Sequence, residues 1–422
     1  MKYNVSEIKK GIKLHTIDTD KFKTNLVAVF LTTPLNRENV TYNAIIPSVL
    51  RRGSKSMPTQ EDISKNLEEM YGAGFDCGLD KIGDNQVLKF YLESINDNFI
   101  PQTGENMLKM TCEKLLEITF NPIVDEDKFK EEYVKQEKDN IKQIIEGKKD
   151  NKARYAMDRC IEEMYKETNF GLYKYGYVED LEKIDSKKLY EYYEKLKNEC
   201  KIDIFISGKL DNNISEIIKE NENIQKLTER EPNYIQNKLE RKEKVQENTV
   251  EESMEVVQGK LVIGLDIDLE DEKLRYDTLV YNSILGGTAN SKLFQNVREK
   301  ESLAYTASSS YLKNKSNIFI NCGIEIGNYQ KALDIIKKQI EDMKNGDFTE
   351  EDIENAKKVI ISTVKSIDDE QDTEITYFLG QELANNNVSL DEYINIIENI
   401  TKDNIVNVAN KVSINTIYFL RD

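Results

Sequence analysis

Tryptophan is absent from the 422 residues, histidine occurs once, and there are only 6 prolines and 5 cysteines. A single histidine excludes any metal site built on two imidazoles, and any Ser-His-Asp arrangement that does not run through His15. That residue stands in Leu14-His15-Thr16, read as a strand near the start. No nucleophile is tied to it by a recognisable spacing, so a structural histidine is expected. The cysteines (Cys77, Cys112, Cys160, Cys200 and Cys322) include no CxxC pair. Such an odd, scattered set reads as reduced, buried thiols of a cytoplasmic protein. No stretch approaches the roughly 20 apolar residues that span a bilayer. The first ten residues lack the apolar core of a signal peptide.

Positive charge is also short. Lys and Arg number 59 against 77 Asp and Glu, a net charge of −18. A chain so acidic repels nucleic-acid phosphates and anionic membrane surfaces, so neither is expected as a partner. What is present in quantity is hydrophobic material, 39% of the residues, enough at this length for more than one core.

The order of elements repeats. An apolar run at Leu26–Leu31 reads as a strand, followed later by Val87–Leu92 and a helix around Gly104 to Glu117. A further helix is expected from Asp125, with Phe129, Tyr133 and Ile141 on one face. Ile184 to Tyr193 and the strand Ile202–Ile206 close the first half. The second half opens with the strand Leu261–Leu265 and a helix from about Asp271 to Gly286-Gly287. Asn317–Ile326 alternates, which places Ile318, Ile320, Cys322, Ile324 and Ile326 on one sheet face. A helix from Tyr329 follows, and Thr349 to Asp352 has the form of a capping box opening another. A helix near Thr401 and the strand Thr416–Leu420 end the chain. Glu182-Lys-Ile184 matches Glu398-Asn-Ile400 in register, so the expectation is one α+β unit present twice. The boundaries are 1–224, a polar linker at 225–246, and 247–422. Each half should be a mixed or antiparallel sheet with helices packed on one face.

The chemistry-bearing stretch is Leu285 to Tyr305. Gly286 and Gly287 stop a helix and can let backbone N–H groups approach a ligand. Asn290 or Ser291 can cap a short helix whose apolar face is Leu293, Phe294 and Val297, with Arg298 beside it. Tyr305 opens a strand in which Tyr305, Ala307, Ser309 and Tyr311 are expected on one side. An Arg at a helix end and a Tyr at the following strand start can both donate to a carbonyl oxygen. The plainer reading is a helix stop, a surface ion pair and sheet packing. A carboxylate site for a hard metal is disfavoured. Asp266, Asp268, Glu270 and Asp271 cluster, but without the spacing of a calcium loop.

The run GG-x5-LFQ-x-VREK-x2-LAY resembles the C-terminal signature of the pitrilysin, insulin-degrading enzyme and mitochondrial processing peptidase family, zinc peptidases with the inverted H-x-x-E-H motif. Asn121 to Phe129, Gly171 to Leu181 and Arg52-Gly53-Ser54 resemble further segments of it, so the likeness covers nearly the whole chain. The resemblance implies that Arg298 and Tyr305 hold substrate near a zinc. It also implies where the zinc should be, and there the sequence departs. Counting back from Gly53, the His, Glu and His positions fall on Ala44, Pro47 and Ser48. The remaining family ligand falls near Glu137 or Asp139, both expected on a solvated helix face. Zinc needs imidazole, thiolate or carboxylate ligands, and the hydrolytic water needs a base. The expectation is therefore no catalytic residue and no cofactor in this chain. A homologous H-x-x-E-H subunit would supply the zinc, and a peptide would be the substrate of the pair. The alternative is a catalytically dead peptide-binding or scaffold protein, with a homodimer as one form of it.

Overall fold

The computed structural model describes residues 2–101, 106–210, 213–239 and 241–422. The start of the helix expected around Gly104 lies outside them.

A six-stranded mixed sheet organises the first compact unit. Its strands are β1 (Lys2–Lys9), β2 (Ile12–Asp18), β3 (Thr24–Pro34), β4 (Gly74–Ile82), β5 (Asn85–Ile95) and β8 (Lys201–Gly208), and β6 (Val124–Asp125) and β7 (Lys128–Phe129) make a separate hairpin. The second unit holds β9 (Asn248–Ser253), β10 (Gly259–Ile267), β11 (Ala304–Leu312), β12 (Asn317–Ile324) and β13 (Val412–Arg421). From the parallel pair outward the first sheet runs β2-β8-β3-β5-β4 and the second β9-β13-β10-β12-β11. In both, the first pair is parallel and all the others antiparallel. The two sheets share one topology, and β1 is the addition in the first.

The helices are, in chain order, α1 (Val40–Leu50), α2 (Gln60–Glu69), α3 (Met107–Phe120), α4 (Glu131–Glu146), α5 (Lys152–Met164), α6 (Val178–Leu181), α7 (Ser186–Glu199), α8 (Ile214–Glu220), α9 (Glu222–Lys226), α10 (Leu274–Asn282), α11 (Tyr329–Lys344), α12 (Glu350–Lys365), α13 (Gln371–Ala384), α14 (Leu390–Glu398) and α15 (Lys402–Ala409). None is long and apolar enough to cross a membrane.

The apolar run in β3 is explained by burial on both faces. Val27, Val29 and Leu31 face one core, and Leu26, Ala28 and Phe30 face another. Ile318, Ile320, Cys322 and Ile324 of β12 line the main core of the second unit, as the alternation predicts. Ile326 lies past the strand end, in a 3-10 turn. Each such side chain, fully buried, contributes about 1.5–3 kcal/mol. The equivalence of Ile184 and Ile400 holds structurally. Both are buried, each one residue before the cap of a helix, Asp185 for α7 and Thr401 for α15. The capping box at Thr349 and Asp352 forms as read. The helix expected from Asp125 does not start there. Val124–Phe129 turns back on itself through Glu126 at φ +58, and α4 begins only at Glu131.

Each compact unit draws on both sides of the expected division at 225–246. The first comprises residues 1–146, 172–236 and 370–383, and the second 147–171, 237–369 and 384–422. Most helices of a unit pack on one face of its sheet, while a single helix from the other half of the sequence covers the second face. In the first unit this is α13, whose Ile375, Phe378, Leu379 and Leu383 meet Leu26, Phe30 and Phe205. In the second it is α5, whose Tyr155, Ala156 and Cys160 meet Val262, Phe319 and Tyr418. Gly264 makes room for α5, since a Cβ there would stand 2.8 Å from the Met164 sulfur. Between α9 and β9 the chain has no helix or strand among the described residues, and it is pinned. Ile235 N–H donates to Asn85 at 2.8 Å in the first unit, and Arg241 to Asp268 at 2.7 Å in the second.

Candidate functional site

The three positions that the resemblance assigns to metal ligands lie on α1. Ala44 and Pro47 are buried and Ser48 is half-buried. Pro47 sits inside the helix, where it has no N–H to return to the preceding turn. Its carbonyl accepts a weak bond from the Cys77 thiol at 3.3 Å. Burial pushes that thiol up to about 12.

Glu137 is the ligand-like group that remains, and its setting corrects the expectation of a solvated face. It is 5% exposed, whereas Asp139 faces solvent. Arg52, which follows α1, donates through Nε to Glu137 Oε1 at 2.5 Å, and Asn140 donates to Oε2 at 3.0 Å. The buried carboxylate is thus neutralised by a guanidinium. Two residues after Arg52, Ser54 is fully buried and donates to Glu117 at 2.8 Å. The residues present do not fit a zinc ion: two have no lone pair to offer, one is a neutral hydroxyl, and the carboxylate is taken. Among the described residues no group of three or more His, Cys, Asp or Glu could hold a metal. The acidic cluster that begins at the end of β10 is held in polar contacts as well. Asp266 accepts from Asn317 and Asn415, Asp268 from Arg241, and Glu270 from Lys411.

The signature stretch of the second unit takes an unusual backbone path. Ser283–Gly287 and Phe294–Lys300 are π-helical turns, a geometry frequent at functional sites. Gly286 has a packing reason to be glycine. A Cβ there would stand 2.7 Å from the backbone N of Ser309 and 2.7 Å from Leu293. It lets the helix lie against β11. Leu293 and Val297 are fully buried, and the Phe294 ring carries the Arg298 guanidinium at 4.5 Å. Arg298 is half exposed, with Glu299 3.7 Å away. The chain then reverses through Ser302 at φ +51, where Ser302 and Leu303 N–H groups cap the Arg298 and Val297 carbonyls at 3.1 Å each.

β11 corrects the expected facing of Tyr305. Ala304 pairs with Ile324 and Thr306 with Gly323, so Tyr305 is the extra residue of a β-bulge. Ala307 and Ser309 point to the core and Tyr311 is partly buried, but Tyr305 is 73% exposed. The bulge turns it out of line with the residues an unbroken alternation would have placed beside it.

His15 is buried and structural, as expected. Its Nε2 is 3.0 Å from Asp203, its Nδ1 2.8 Å from the Tyr3 hydroxyl, and its ring stacks on Phe205 at 4.1 Å. Asp203 also takes a bond from Lys201, and Lys201 and Lys13 reach Glu382 of α13. Burial alone would raise the Asp203 carboxyl, but Lys201 and His15 outweigh it and hold the group at about 2. Sequence reading missed this network, although an Asp inside the apolar strand Ile202–Ile206 signals a buried partner.

A two-unit α+β fold of duplicated topology, with no residue set fit for zinc at the positions that the resemblance assigns to metal ligands, points to a non-catalytic relative of a metallopeptidase. Comparison with known proteins agrees. The description "Peptidase M16 inactive domain" matches residues 183–360. The chain is 34% identical to the probable inactive metalloprotease YmfF of Bacillus subtilis strain 168, over 99% of this chain and 98% of that one. A conserved protein from Enterococcus faecalis V583 has a similar structure, with TM-score 0.90 and 28% identity over 100% of this chain and 99% of that one. The peptidase M16 inactive domain from Pseudomonas fluorescens shares the fold with TM-score 0.79 at 16% identity, covering 100% and 98%. The chain belongs to the M16 peptidase family, among its inactive members.

Proposed function

We propose that the chain is the substrate-binding subunit of a heterodimeric zinc endopeptidase, with a homologous H-x-x-E-H subunit supplying the zinc and the base. The observation that carries this is an asymmetry within one molecule. The metal-ligand positions are erased, and Glu137 is occupied by Arg52. The stretch Gly286 to Tyr305 is intact, with Arg298 and Tyr305 facing solvent. Arg298 and Tyr305 would donate to carbonyls of the peptide near the scissile bond, and Gly286 and Gly287 would shape the turn behind them. Fixed donors aimed at a carbonyl oxygen are worth about 10²–10³ in turnover.

The test is co-purification with a zinc-bearing partner, followed by peptide-cleavage assays of the pair. Arg298→Ala should lower turnover by about 10²-fold while the two chains still elute together. Unchanged turnover overturns the assignment. A stable self-dimer that ignores every H-x-x-E-H partner would instead support the scaffold reading.

A further inference from the structure

Two arginines of this chain are fixed in different ways. The Arg52 guanidinium spends its Nε donor on Glu137 at 2.5 Å. Among the described residues the Arg298 guanidinium makes no hydrogen bond. Glu299, with which it pairs, stands 3.7 Å from Nε, beyond hydrogen-bond reach. Both side chains of that pair reach solvent, and such pairs hold a long side chain weakly. What lies against the guanidinium is the face of the Phe294 ring, with 4.5 Å from the guanidinium carbon to the ring centroid.

Phe294 departs from its neighbours on the same turn. Leu293 and Val297 are buried in the main core of the second unit. Phe294 is only half-buried. Among the described residues it belongs to none of the hydrophobic clusters, nor to the partly buried side chains packed against them. Core packing therefore does not account for an aromatic ring at this position, and the Arg298 contact does. The backbone explains how the two meet. Phe294–Lys300 is a π turn, which bonds residues five apart, so residues four apart stand nearly over one another. The Ser302 N–H holds the Arg298 carbonyl at 3.1 Å, so the main chain beneath the guanidinium is fixed as well.

We infer that Phe294 is the positioning residue for Arg298: its ring face holds the guanidinium by cation–π attraction and leaves the N–H donors free for a carbonyl of the bound peptide. The inference rests on the substrate-binding reading above and deepens it. A carboxylate in the place of the ring would fix the arginine by occupying the donors that the peptide needs. An aliphatic side chain would leave the guanidinium mobile, and its ordering would then oppose binding. An aromatic face orders the cation without either cost.

The experiment is a double-mutant cycle, read in steady-state cleavage of an internally quenched peptide by the co-purified pair. Phe294→Leu keeps apolar bulk and removes the ring, and Phe294→Tyr keeps a face for the cation. Phe294→Leu is expected to lower kcat by about two- to fivefold with KM unchanged. Phe294→Tyr should restore the parent kcat, and Phe294→Leu should have no further effect once Arg298→Ala is present. The melting temperature of the chain should stay at the parent value in both Phe294 variants. An equal loss from Phe294→Leu in the Arg298→Ala background, or a loss that follows a fall in melting temperature, gives the ring a merely structural role and overturns the inference. Parent activity of Phe294→Leu beside a crippled Arg298→Ala overturns the positioning role and leaves the substrate-binding reading standing. Parent turnover of Arg298→Ala overturns both.

Discussion

Arg52 and Glu137 stand in the relation that a metal and its carboxylate ligand would. The guanidinium donates to a carboxylate that is 5% exposed, at 2.5 Å. The charge that would otherwise be stranded on α4 is answered from within the chain, and no metal is needed to hold α1 and α4 together.

Removing the cation should therefore be costly. Arg52→Ala leaves a buried, uncompensated carboxylate, and a loss of about 3–5 kcal/mol is expected in chemical denaturation. Adding Glu137→Leu to that variant should restore most of the loss, because the pair can be exchanged for apolar packing. Zinc added to either variant should leave the denaturation midpoint where it was.

The Asp203 network sets a second expectation. The carboxyl lies at about 2, below its ordinary 3.8, so its contribution is present above the ordinary value and is lost as pH falls through about 2. Asp203→Asn should destabilise by about 3–5 kcal/mol at neutral pH, since Lys201 loses its buried partner. It should also flatten the acid limb of a stability–pH series.

Asp277 on α10 behaves in the opposite sense. Burial, with Asp271 nearby, raises its carboxyl from 3.8 to about 6. Its folded form favours the proton, so stability is full below the ordinary value and is lost as pH climbs through about 6. Asp277→Asn should match the parent in acid and exceed it at pH 7 by on the order of 1–3 kcal/mol. Thermal unfolding at a series of pH values reads this directly.

Gly286→Ala tests the packing of the signature stretch. The added methyl would meet the Ser309 backbone at 2.7 Å, and backbone cannot swing away as a side-chain tip does. A loss of about 1–3 kcal/mol is expected, with faster amide exchange in β11. An unaltered melting temperature would count against the close approach.

The duplication was legible in the sequence because burial imposes a period. The run Leu26–Leu31, the alternation from Ile318 to Ile324 and the Thr349 capping box depend on neighbours within a few residues, and each forms as read. The chemistry of the positions that the resemblance assigns to metal ligands is also read from residue type alone: Ala44 and Pro47 offer no side-chain lone pair and Ser48 only a neutral hydroxyl, whatever surrounds them. Three matters were decided only in three dimensions. Which compact unit α5 and α13 join depends on contacts between segments far apart in sequence. The facing of Tyr305 depends on a bulge, one residue of mismatch between two strands, which neither strand announces alone. The fate of Glu137 depends on Arg52, 85 residues before it. Local pattern determines which residues must be buried, and only the folded chain determines which buried charge finds which partner, because a charge buried without one would cost more than the fold can spare.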